Sequence, residues 1–213
     1  MSKKAILAEL KRLYPDAGPE LHFTNPYETL VATMLSAQCT DKQVNKVTPE
    51  VFARYPDATA MAACTAEELY PLVKSCGFKS KAGNIVNACR MIVEKHGGQV
   101  PSTMEELTAL PGVGRKTANV VLWGAYGINE GLAVDTHVKR ISYRLGLTDH
   151  TDPVRIERDL MKLFPQDSWG DVNHRMVWFG RDVCDARKPR CGECEMAELC
   201  PRRGVKSPAL ARP

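Results

Sequence analysis

Hydrophobic residues recur at intervals of three and four along most of the chain, which is the spacing of one face of an α-helix. The clearest such face lies within residues 80–96 and comprises Ile85, Val86, Cys89, Ile92 and Val93. No segment shows the clear period-two alternation of a half-buried β-strand. The pattern therefore predicts an all-α protein of about ten helices joined by short loops.

Capping residues indicate where these helices begin. Asn25, Thr40 and Asp152 are predicted N-caps, and Thr65 with Glu68 matches the capping box in which each residue bonds the other's backbone. A second capping box is predicted for Ser102 with Glu105, opening a short helix that stops at Pro111. Besides an N-terminal helix, further helices are predicted at 80–96, 114–126, 135–145, 152–164 and about 171–183.

The composition and the absence of certain segments indicate a hydrophobic core and a cellular location. The chain has 213 residues, of which 44% are hydrophobic, enough for one large domain or two lobes. No apolar run approaches the length of a membrane span, and the N-terminus lacks the apolar core of a secretory signal. These features predict an intracellular protein.

The net charge of +4 is too small to indicate a nucleic-acid partner by itself, but its distribution is uneven. Residues 181–213 carry eight Lys and Arg against five Asp and Glu, which accounts for most of the excess. A solvated basic loop and a phosphate-contacting loop both fit this excess.

Four cysteines in this basic segment form the pattern C-x6-C-x2-C-x5-C: Cys184, Cys191, Cys194 and Cys200. Clustered thiolates of this kind bind zinc or an iron–sulfur cluster. Structural zinc sites usually combine two short clips, whereas only Cys191 and Cys194 form such a clip here. The spacing favours an iron–sulfur cluster over zinc, and a disulfide is less favoured than either. The other cysteines, at 39, 64, 76 and 89, fall in apolar helical segments and are predicted to be small buried hydrophobes.

A second unusual segment is LPGVGRKTA at 110–118, where one predicted helix ends and the next begins at once. Gly112 and Gly114 permit a tight turn, and the amides of Val113, Gly114 and the first helical turn are predicted to point outward together. With the positive end of the helix dipole and Arg115 nearby, they form a phosphate site that reads no base. A nucleotide-binding P-loop is excluded, because that motif needs a preceding strand and a glycine directly before its lysine. A plain helix–helix turn is the alternative.

Two residues near these turns are candidates for chemistry. Lys116 lies in the first turn of a helix, where the dipole and Arg115 disfavour the charged ammonium and so favour a neutral, nucleophilic amine. Solvation or phosphate contact is the more common role of such a lysine. Asp135, in VDTH at 134–137, is predicted to cap the following helix and could also face a cleft.

Taken together, four segments resemble the endonuclease III family of DNA glycosylases, in the helix–hairpin–helix superfamily. They are LPGVGRKTA (110–118), VDTH (134–137), LSAQCTD (35–41) and the cysteine run (184–200), in the family's order and spanning nearly the whole chain. The resemblance implies a two-lobed α-helical fold with a C-terminal iron–sulfur cluster loop at 184–200. One lobe would be a helical barrel at 20–129 carrying the helix–hairpin–helix, the other would combine 1–19 with 130–213, and the active site would lie in the cleft between them.

The resemblance also implies roles for individual residues. Lys116 would be the amine nucleophile and Asp135 the essential carboxylate, while Cys184, Cys191, Cys194 and Cys200 would hold a 4Fe-4S cluster. DNA contacts would come from Gln38, which fills the space of the extruded nucleotide, from Phe78, which wedges into the base stack, and from Gly112, Val113, Gly114, Arg115, His137, Lys188 and Arg190. The wedge position is commonly leucine in the family, and the aromatic Phe78 is a departure that puts the preference for the opposite base in doubt. A core position at the start of the 80–96 helix is the alternative for Phe78.

The function implied is that of a bifunctional DNA glycosylase and abasic-site lyase, which removes oxidised pyrimidines and cuts the strand by β-elimination through a lysine Schiff base. The expected partner is double-stranded DNA with damaged or abasic sites, with no membrane partner. The protein is expected to be a monomer, cytoplasmic and nucleoid-associated in a bacterial or archaeal-type cell. A non-catalytic iron–sulfur protein that binds DNA or senses redox state is the alternative.

Overall fold

The computed structural model describes residues 3–205, which form helices and short loops without any β-strand. The α-helices of this range are α1 (Lys3–Leu13), α2 (Pro26–Leu35), α3 (Asp41–Arg54), α4 (Ala58–Ala63), α5 (Ala66–Val73), α6 (Lys79–His96), α7 (Met104–Ala109), α8 (Arg115–Tyr126), α9 (Thr136–Arg144), α10 (Pro153–Leu163) and α11 (Trp169–Asp182). Single turns of 3₁₀-helix lie at Lys74–Cys76, Gln166–Ser168 and Ala197–Leu199. The predicted all-α class is confirmed.

The chain divides into two compact units. One is continuous, Pro19–Ile128, and contains α2 to α8. The other combines the chain up to Gly18 with the chain from Asn129 onward, and so joins α1 to α9, α10 and α11.

Each unit has its own apolar core. In the continuous unit α4 and α5 pack on α6, and α2 packs on α8, around Leu30, Leu69, Ile85 and Leu122, all fully buried. Burying one such side chain stabilises the fold by about 1.5–3 kcal/mol. In the discontinuous unit α1 and α9 pack on α11. Its core also includes α10, and the cysteines Cys184, Cys194 and Cys200 pack against the edge of that core.

Side-chain caps begin most of these helices where the sequence predicts. Asn25, Thr40, Asp135 and Asp152 each accept a hydrogen bond from the amide three residues on. Thr65 and Glu68 form the reciprocal capping box. These starts are confirmed.

One additional helix and two helix starts differ from the prediction. The helix at Ala58–Ala63, capped by Asp57, was not predicted, because six residues are too few to show periodicity. The cap of α7 is Thr103 with Glu106 rather than Ser102 with Glu105, since two overlapping patterns of the same kind fit the sequence. Helix α11 begins at Trp169, two residues earlier than predicted.

Among the apolar cysteines, Cys64, Cys76 and Cys89 are buried as predicted. Cys39 is different, because it is only half-buried and lies in the loop after α2 rather than within a helix. None of the eight cysteines forms a disulfide.

Helix α9 passes close over Gly180 of α11. A Cβ atom at this position would lie 2.6 Å from His137 Nδ1, 2.8 Å from Arg140 Nη2 and 2.9 Å from Ile141 Cδ1. We therefore expect Gly180→Ala to lower the free energy of unfolding by about 1–3 kcal/mol, because α9 must shift to admit the methyl group. Urea denaturation followed by circular dichroism measures this change.

The matched control is Gly83→Ala, in the interior of α6. A Cβ atom there has only Ala66 Cβ, at 4.0 Å, among its neighbours. This variant should be neutral or more stable by up to about 1 kcal/mol, because alanine restricts the unfolded chain. Equal effects of the two substitutions would show that helix propensity, not the contact with α9, determines the role of Gly180.

Candidate nucleic-acid interface and metal centre

The hairpin between α7 and α8 depends on one glycine more than on the other. Gly112 has φ of 77°, in the left-handed region. A Cβ atom on it would lie 2.8 Å from Asn84 Cβ, so that both the conformation and the space require glycine. Gly114 has φ of −93°, which any residue can adopt.

Gly114 is also the N-cap of α8, and this determines how the first turn of that helix is capped. Most helices of the described chain begin with a Ser, Thr, Asn or Asp whose side chain bonds the first-turn amides, whereas Gly114 has no side chain to do so. No atom lies within 4 Å of the position where its Cβ would be. The start of α8 therefore has no side-chain cap and presents the positive end of the helix dipole beside open space, which is suited to an anion.

The amide of Val113 does not join this group as predicted. It donates to the Leu110 carbonyl at 3.1 Å and closes the turn, and its side chain is buried. Val113 therefore shapes the hairpin, while Gly114 and the first turn of α8 remain as the anion site.

The two residues predicted to carry chemistry lie in different units. Lys116 is the second residue of α8, in the continuous unit, and its side chain is exposed to solvent. Asp135 is the half-buried N-cap of α9, in the discontinuous unit, and its Oδ1 accepts a hydrogen bond from the Val138 amide at 2.8 Å. Because the cap uses only Oδ1, Oδ2 is left for a second role.

His137 follows Asp135 within the first turn of α9 and is half-buried. Its Nδ1 lies 3.1 Å from Arg140 Nη2, and because arginine only donates, Nδ1 must be the acceptor and the remaining proton is on Nε2. Burial lowers the pKa of His137, and the nearby Arg140 charge lowers it further, whereas Asp135 raises it. The imidazole is therefore neutral at physiological pH, with its Nε2–H as a donor.

Three of the predicted DNA-contact residues line one pocket of about 260 Å³ in the continuous unit: Gln38, Phe78 and Gly112. The Phe78 ring is 79% exposed, far more than any other large hydrophobic side chain among the described residues, so that it lies outside the core. Gln38 has φ of 57°, an unfavourable conformation for a residue with a Cβ atom. An exposed aromatic ring and a strained polar residue beside one pocket are typical of a functional site.

Lys81, which sequence reasoning missed, holds the two loops that carry these residues. Its ammonium donates to the carbonyl oxygens of Leu35 (3.0 Å), the last residue of α2, and of Ala37 (2.6 Å) in the loop that follows. It also donates to the carbonyl of Cys76, at the end of the 3₁₀ turn before Phe78. These carbonyls lie at or beyond the ends of helices, where no backbone amide bonds them. The ammonium supplies the hydrogen-bond donor that they need. Nothing in the pattern around Lys81 distinguishes it from Lys79 two residues earlier, which is exposed and pairs with Glu67 at 2.8 Å.

All four cysteines of the C-terminal run line one cavity, together with Arg144, Met196 and other residues of the discontinuous unit. Thiolates bound to a single zinc ion at about 2.3 Å would lie within about 3.8 Å of one another. Within residues 3–205, however, no three Cys, His, Asp or Glu side chains converge as ligands of one ion. Sulfurs arranged around a cavity rather than around a point fit a cluster of several atoms.

The surroundings of these sulfurs also suit a cationic centre. Burial raises the pKa of Cys194 to about 11, and it raises the pKa of Cys191 and Cys200 as well. Such thiols lose their protons when a metal supplies positive charge. The residues present therefore fit an iron–sulfur cluster.

Arg144, at the end of α9, holds the loop that begins at Cys184. The sequence analysis did not identify this residue either. The side chain is 8% exposed and donates to Cys184 Sγ (3.3 Å), to the carbonyls of Cys184 and Asp185, and to that of Ala186. Its own carbonyl lies 3.3 Å from Cys200 Sγ. One arginine thus contacts both the first and the last cysteine. A signal existed, since Arg144 lies three residues after the buried Ile141 on the core-facing side of α9.

The two cations predicted to hold phosphates differ in their contacts. Lys188 is exposed, and its backbone amide, like that of Arg187, donates to Asp185 Oδ1 at 2.8 Å. Arg190 pairs with Asp182 Oδ1 at 2.9 Å and with Glu193 Oε2 at 3.5 Å. Arg190 can therefore meet a phosphate only by exchanging these partners, whereas Lys188 extends into solvent.

Comparison with known proteins agrees with both sites. The family described as HhH-GPD superfamily base excision DNA repair protein matches residues 31–166, and the iron-sulfur binding domain of endonuclease III matches residues 184–200. Endonuclease III of Synechocystis sp. (strain ATCC 27184 / PCC 6803 / Kazusa) is 59% identical over 92% of this chain and 90% of its own.

Solved structures give the same result at 44% identity. A non-covalent Endonuclease III–DNA complex matches 95% of this chain and 96% of that one, with a TM-score of 0.89. A trapped Endonuclease III–DNA covalent intermediate, the estranged-adenine complex, matches 95% and 97% with the same score. The described residues contain no helix long and apolar enough to cross a membrane.

The predicted preference for iron over zinc is confirmed by the matching iron–sulfur domain, whose limits coincide with the first and last cysteines of the run. The cofactor is a 4Fe-4S cluster, which Cys184, Cys191, Cys194 and Cys200 would hold.

We expect Arg144→Leu to weaken retention of the cluster. The substitution leaves buried carbonyls and a cysteine sulfur without their donor, which should lower the free energy of unfolding by about 2–4 kcal/mol. Iron content per chain and the visible absorbance during exposure to air measure retention, and Arg158→Leu, at an exposed position of α10, is the matched control. Equal iron retention by the two variants would contradict a role for Arg144 in the loop.

Proposed function

The chain belongs to the HhH-GPD superfamily of base excision DNA repair proteins and, within it, to the endonuclease III family, and we propose on this basis that it is a DNA glycosylase with abasic-site lyase activity. Its substrate is double-stranded DNA that contains an oxidised pyrimidine or an abasic site. The two units serve as the two lobes of the enzyme, which acts as a monomer in the bacterial nucleoid.

The observation that carries this proposal is the start of α8, where an uncapped helix N-terminus is followed at once by the exposed Lys116. A helix start without a side-chain cap suits a backbone phosphate, and a lysine beside a bound phosphate lies near the sugar that the phosphate flanks. An exposed amine in this place serves as a nucleophile toward C1′. Lys188 adds a second phosphate contact from the cluster loop.

Base extrusion precedes the chemistry. A damaged base is poorly stacked, so that extruding it costs less than the few kcal/mol that a sound base requires. Phe78 wedges into the gap in the stack and Gln38 fills the vacated space. Both residues lie at the rim of the same pocket, which supports a joint role.

The chemistry begins with the Lys116 amine as the nucleophile. The amine attacks C1′ as the bond from C1′ to the base breaks, and Asp135 stabilises the cationic character that develops at the sugar. A proton leaves the nitrogen, and the ring oxygen O4′ takes up a proton as its bond to C1′ breaks. The sugar opens to a Schiff base, which makes the C2′ proton acidic. Removal of that proton expels the 3′ oxygen by β-elimination and breaks the strand.

The 4Fe-4S cluster takes no part in these steps and gives shape to the loop that carries Lys188. This role assigns the four cysteines to architecture, in agreement with the packing of Cys184, Cys194 and Cys200 against the core of the discontinuous unit.

We expect Lys116→Ala to abolish the covalent protein–DNA adduct that borohydride traps, because no amine remains to form the Schiff base. Denaturing gel electrophoresis with oxidised-pyrimidine DNA and with abasic-site DNA measures the adduct. Normal trapping by this variant would remove Lys116 from its role, and trapping by neither the variant nor the parent protein would favour a non-catalytic DNA-binding protein.

Asp135→Asn is the companion variant, because asparagine caps helices as well as aspartate does. The free energy of unfolding should change little, while the rate of base removal should fall about 10²-fold or more. Single-turnover kinetics measures the rate. An unchanged rate would leave Asp135 with its capping role alone.

Phe78→Ala should leave stability within about 0.5 kcal/mol of the parent, since the ring is exposed. It should weaken productive engagement of DNA by about 1–3 kcal/mol, the value of a stacked aromatic ring. Measurement of kcat/KM on duplex substrate tests this. Phe78→Leu should recover most of the loss, and Val154→Ala, at another exposed apolar position, should have no effect. Equal kcat/KM for Phe78→Ala and the parent would exclude the wedge.

A further inference from the structure

Lys81 connects the Gln38 loop (residues 36–40) to the Phe78 loop (residues 74–78) through a single nitrogen atom. Its ammonium donates to the carbonyl of Ala37, just before Gln38, and to that of Cys76, two residues before Phe78. Its own backbone amide donates to the Phe78 carbonyl at 3.0 Å. One residue therefore holds the Phe78 loop from both its side chain and its backbone, and joins it to a segment 44 residues earlier in the chain.

The contacts of this ammonium leave no proton for DNA. An ammonium carries three protons, and the Leu35 carbonyl at 3.0 Å is the third acceptor beside those of Ala37 and Cys76. Lys81 would have to release one of these carbonyls to bind a phosphate. Its role is therefore internal to the protein, although it lies at the pocket that Gln38 and Phe78 line.

The Phe78 loop has a backbone that admits the ammonium. Gly77 has φ of 137°, a positive value that favours glycine. A Cβ atom at Gly77 would lie 3.0 Å from Lys81 Nζ and 3.3 Å from its Cε, closer than packed side chains normally approach. A second tie, from Gln43 Nε2 to Ser75 Oγ at 2.9 Å, links the start of α3 to the same loop. The two loops are thus held together at more than one point.

We propose that Lys81 is a positioning residue for base extrusion, which makes Phe78 and Gln38 act as one unit and acts through these two side chains rather than by binding DNA. This inference rests on the proposed function for its effect on activity. The dependence of one loop on the other is a property of the protein without DNA.

The two activities of the proposed enzyme depend unequally on this arrangement. Base removal requires the nucleotide to leave the stack while a wedge and a gap-filling residue occupy the space. An abasic site has no base to unstack, so that strand cleavage there depends less on the two loops. A misplacement of about 1 Å in a catalytic arrangement costs up to about 100-fold in rate. We therefore expect loss of the Lys81 ammonium to slow base removal about tenfold, and strand cleavage at an abasic site by less than about threefold.

The experiment compares Lys81→Met with Lys79→Met in the full-length protein with its cluster. Methionine is a good helix former and keeps an unbranched side chain, but it lacks the charged donor. Lys79 is the matched control, because it lies in the same turn of α6 and pairs with Glu67 at the surface. Single-turnover rates are measured on a duplex with an oxidised pyrimidine, where alkali treatment reports base removal alone, and on the same duplex with an abasic site.

Lys81→Met should be about tenfold slower than the parent in base removal only, while Lys79→Met should match the parent on both substrates. A Lys81→Met protein with the parent's rate of base removal overturns the proposal. Equal losses on the two substrates overturn it as well, because a general loss of structure would affect both.

A second comparison tests whether Lys81 acts through the two side chains. Gln38→Ala and Phe78→Ala together remove what Lys81 is proposed to position. In this background Lys81→Met should slow base removal by less than about threefold more, because residues that act together are not additive. A further loss of about tenfold, as in the parent, would show that Lys81 acts elsewhere.

Hydrogen exchange measures the link between the loops without DNA. In Lys81→Met, peptides that cover residues 36–40 and 74–78 should both exchange faster than in the parent, while a peptide from α10 should be unchanged. Faster exchange in only one loop, or in neither, overturns the link. A parent protein that removes no base contradicts the proposed function instead, and hydrogen exchange still decides whether Lys81 joins the loops.

Lys81→Arg carries the same tests where Lys81→Met does not fold. Arginine keeps the charge but spreads its donors over a planar group, so that three carbonyls cannot meet at one atom. The loss of base removal and the faster exchange of both loops should then appear at smaller size. In that case, rates and exchange equal to those of the parent overturn the proposal.

Discussion

Cationic side chains that rise from helices and bind the carbonyl oxygens of neighbouring loops hold the functional parts of both units in place. Lys81 binds three carbonyls in the continuous unit, and Arg144 binds three in the discontinuous unit. The same arrangement recurs in Arg90 with Ala62 and Cys64, Arg140 with Gly180 and Cys184, and Arg175 with Tyr14. A charged donor makes a stronger hydrogen bond than a neutral one, and a buried carbonyl without a donor costs about 1–3 kcal/mol. The loops therefore have defined shapes although they contain little regular structure.

This use of cations limits what remains for DNA. A net charge of +4 is modest for a nucleic-acid enzyme, and several of its arginines are engaged inside the fold. We therefore propose that exposed groups such as Lys116 and Lys188, together with the uncapped start of α8, supply much of the attraction for phosphates. Backbone amides contribute to this without any net charge. In the proposed function such an interface would position the duplex, and the exposed Phe78 beside its pocket would distinguish a weakly stacked base from a sound one.

Local patterns predicted the fold well because helices are determined by neighbours in sequence. Caps such as Asn25 and Asp152, and the apolar face of α6, are visible within a few residues. The same is true of the cysteine run, whose spacing reflects a single loop. The short helix α4 and the choice between the Ser102 and Thr103 caps lay beyond this approach, since too few residues or two equal patterns were present.

The supports of the candidate site could not be predicted in this way, because they act between distant segments. Lys81 resembles any solvated lysine until the carbonyls of Ala37 and Cys76 are placed beside it. Two features at the pocket lower the stability of the protein when no DNA is bound. They are the left-handed conformation of Gln38 and the exposed ring of Phe78. Left-handed backbone at a residue with a Cβ atom costs about 1–2 kcal/mol, and only contacts elsewhere can maintain it. Since Lys81 binds both loops, their positions depend on each other. A shift of one loop therefore also displaces the other.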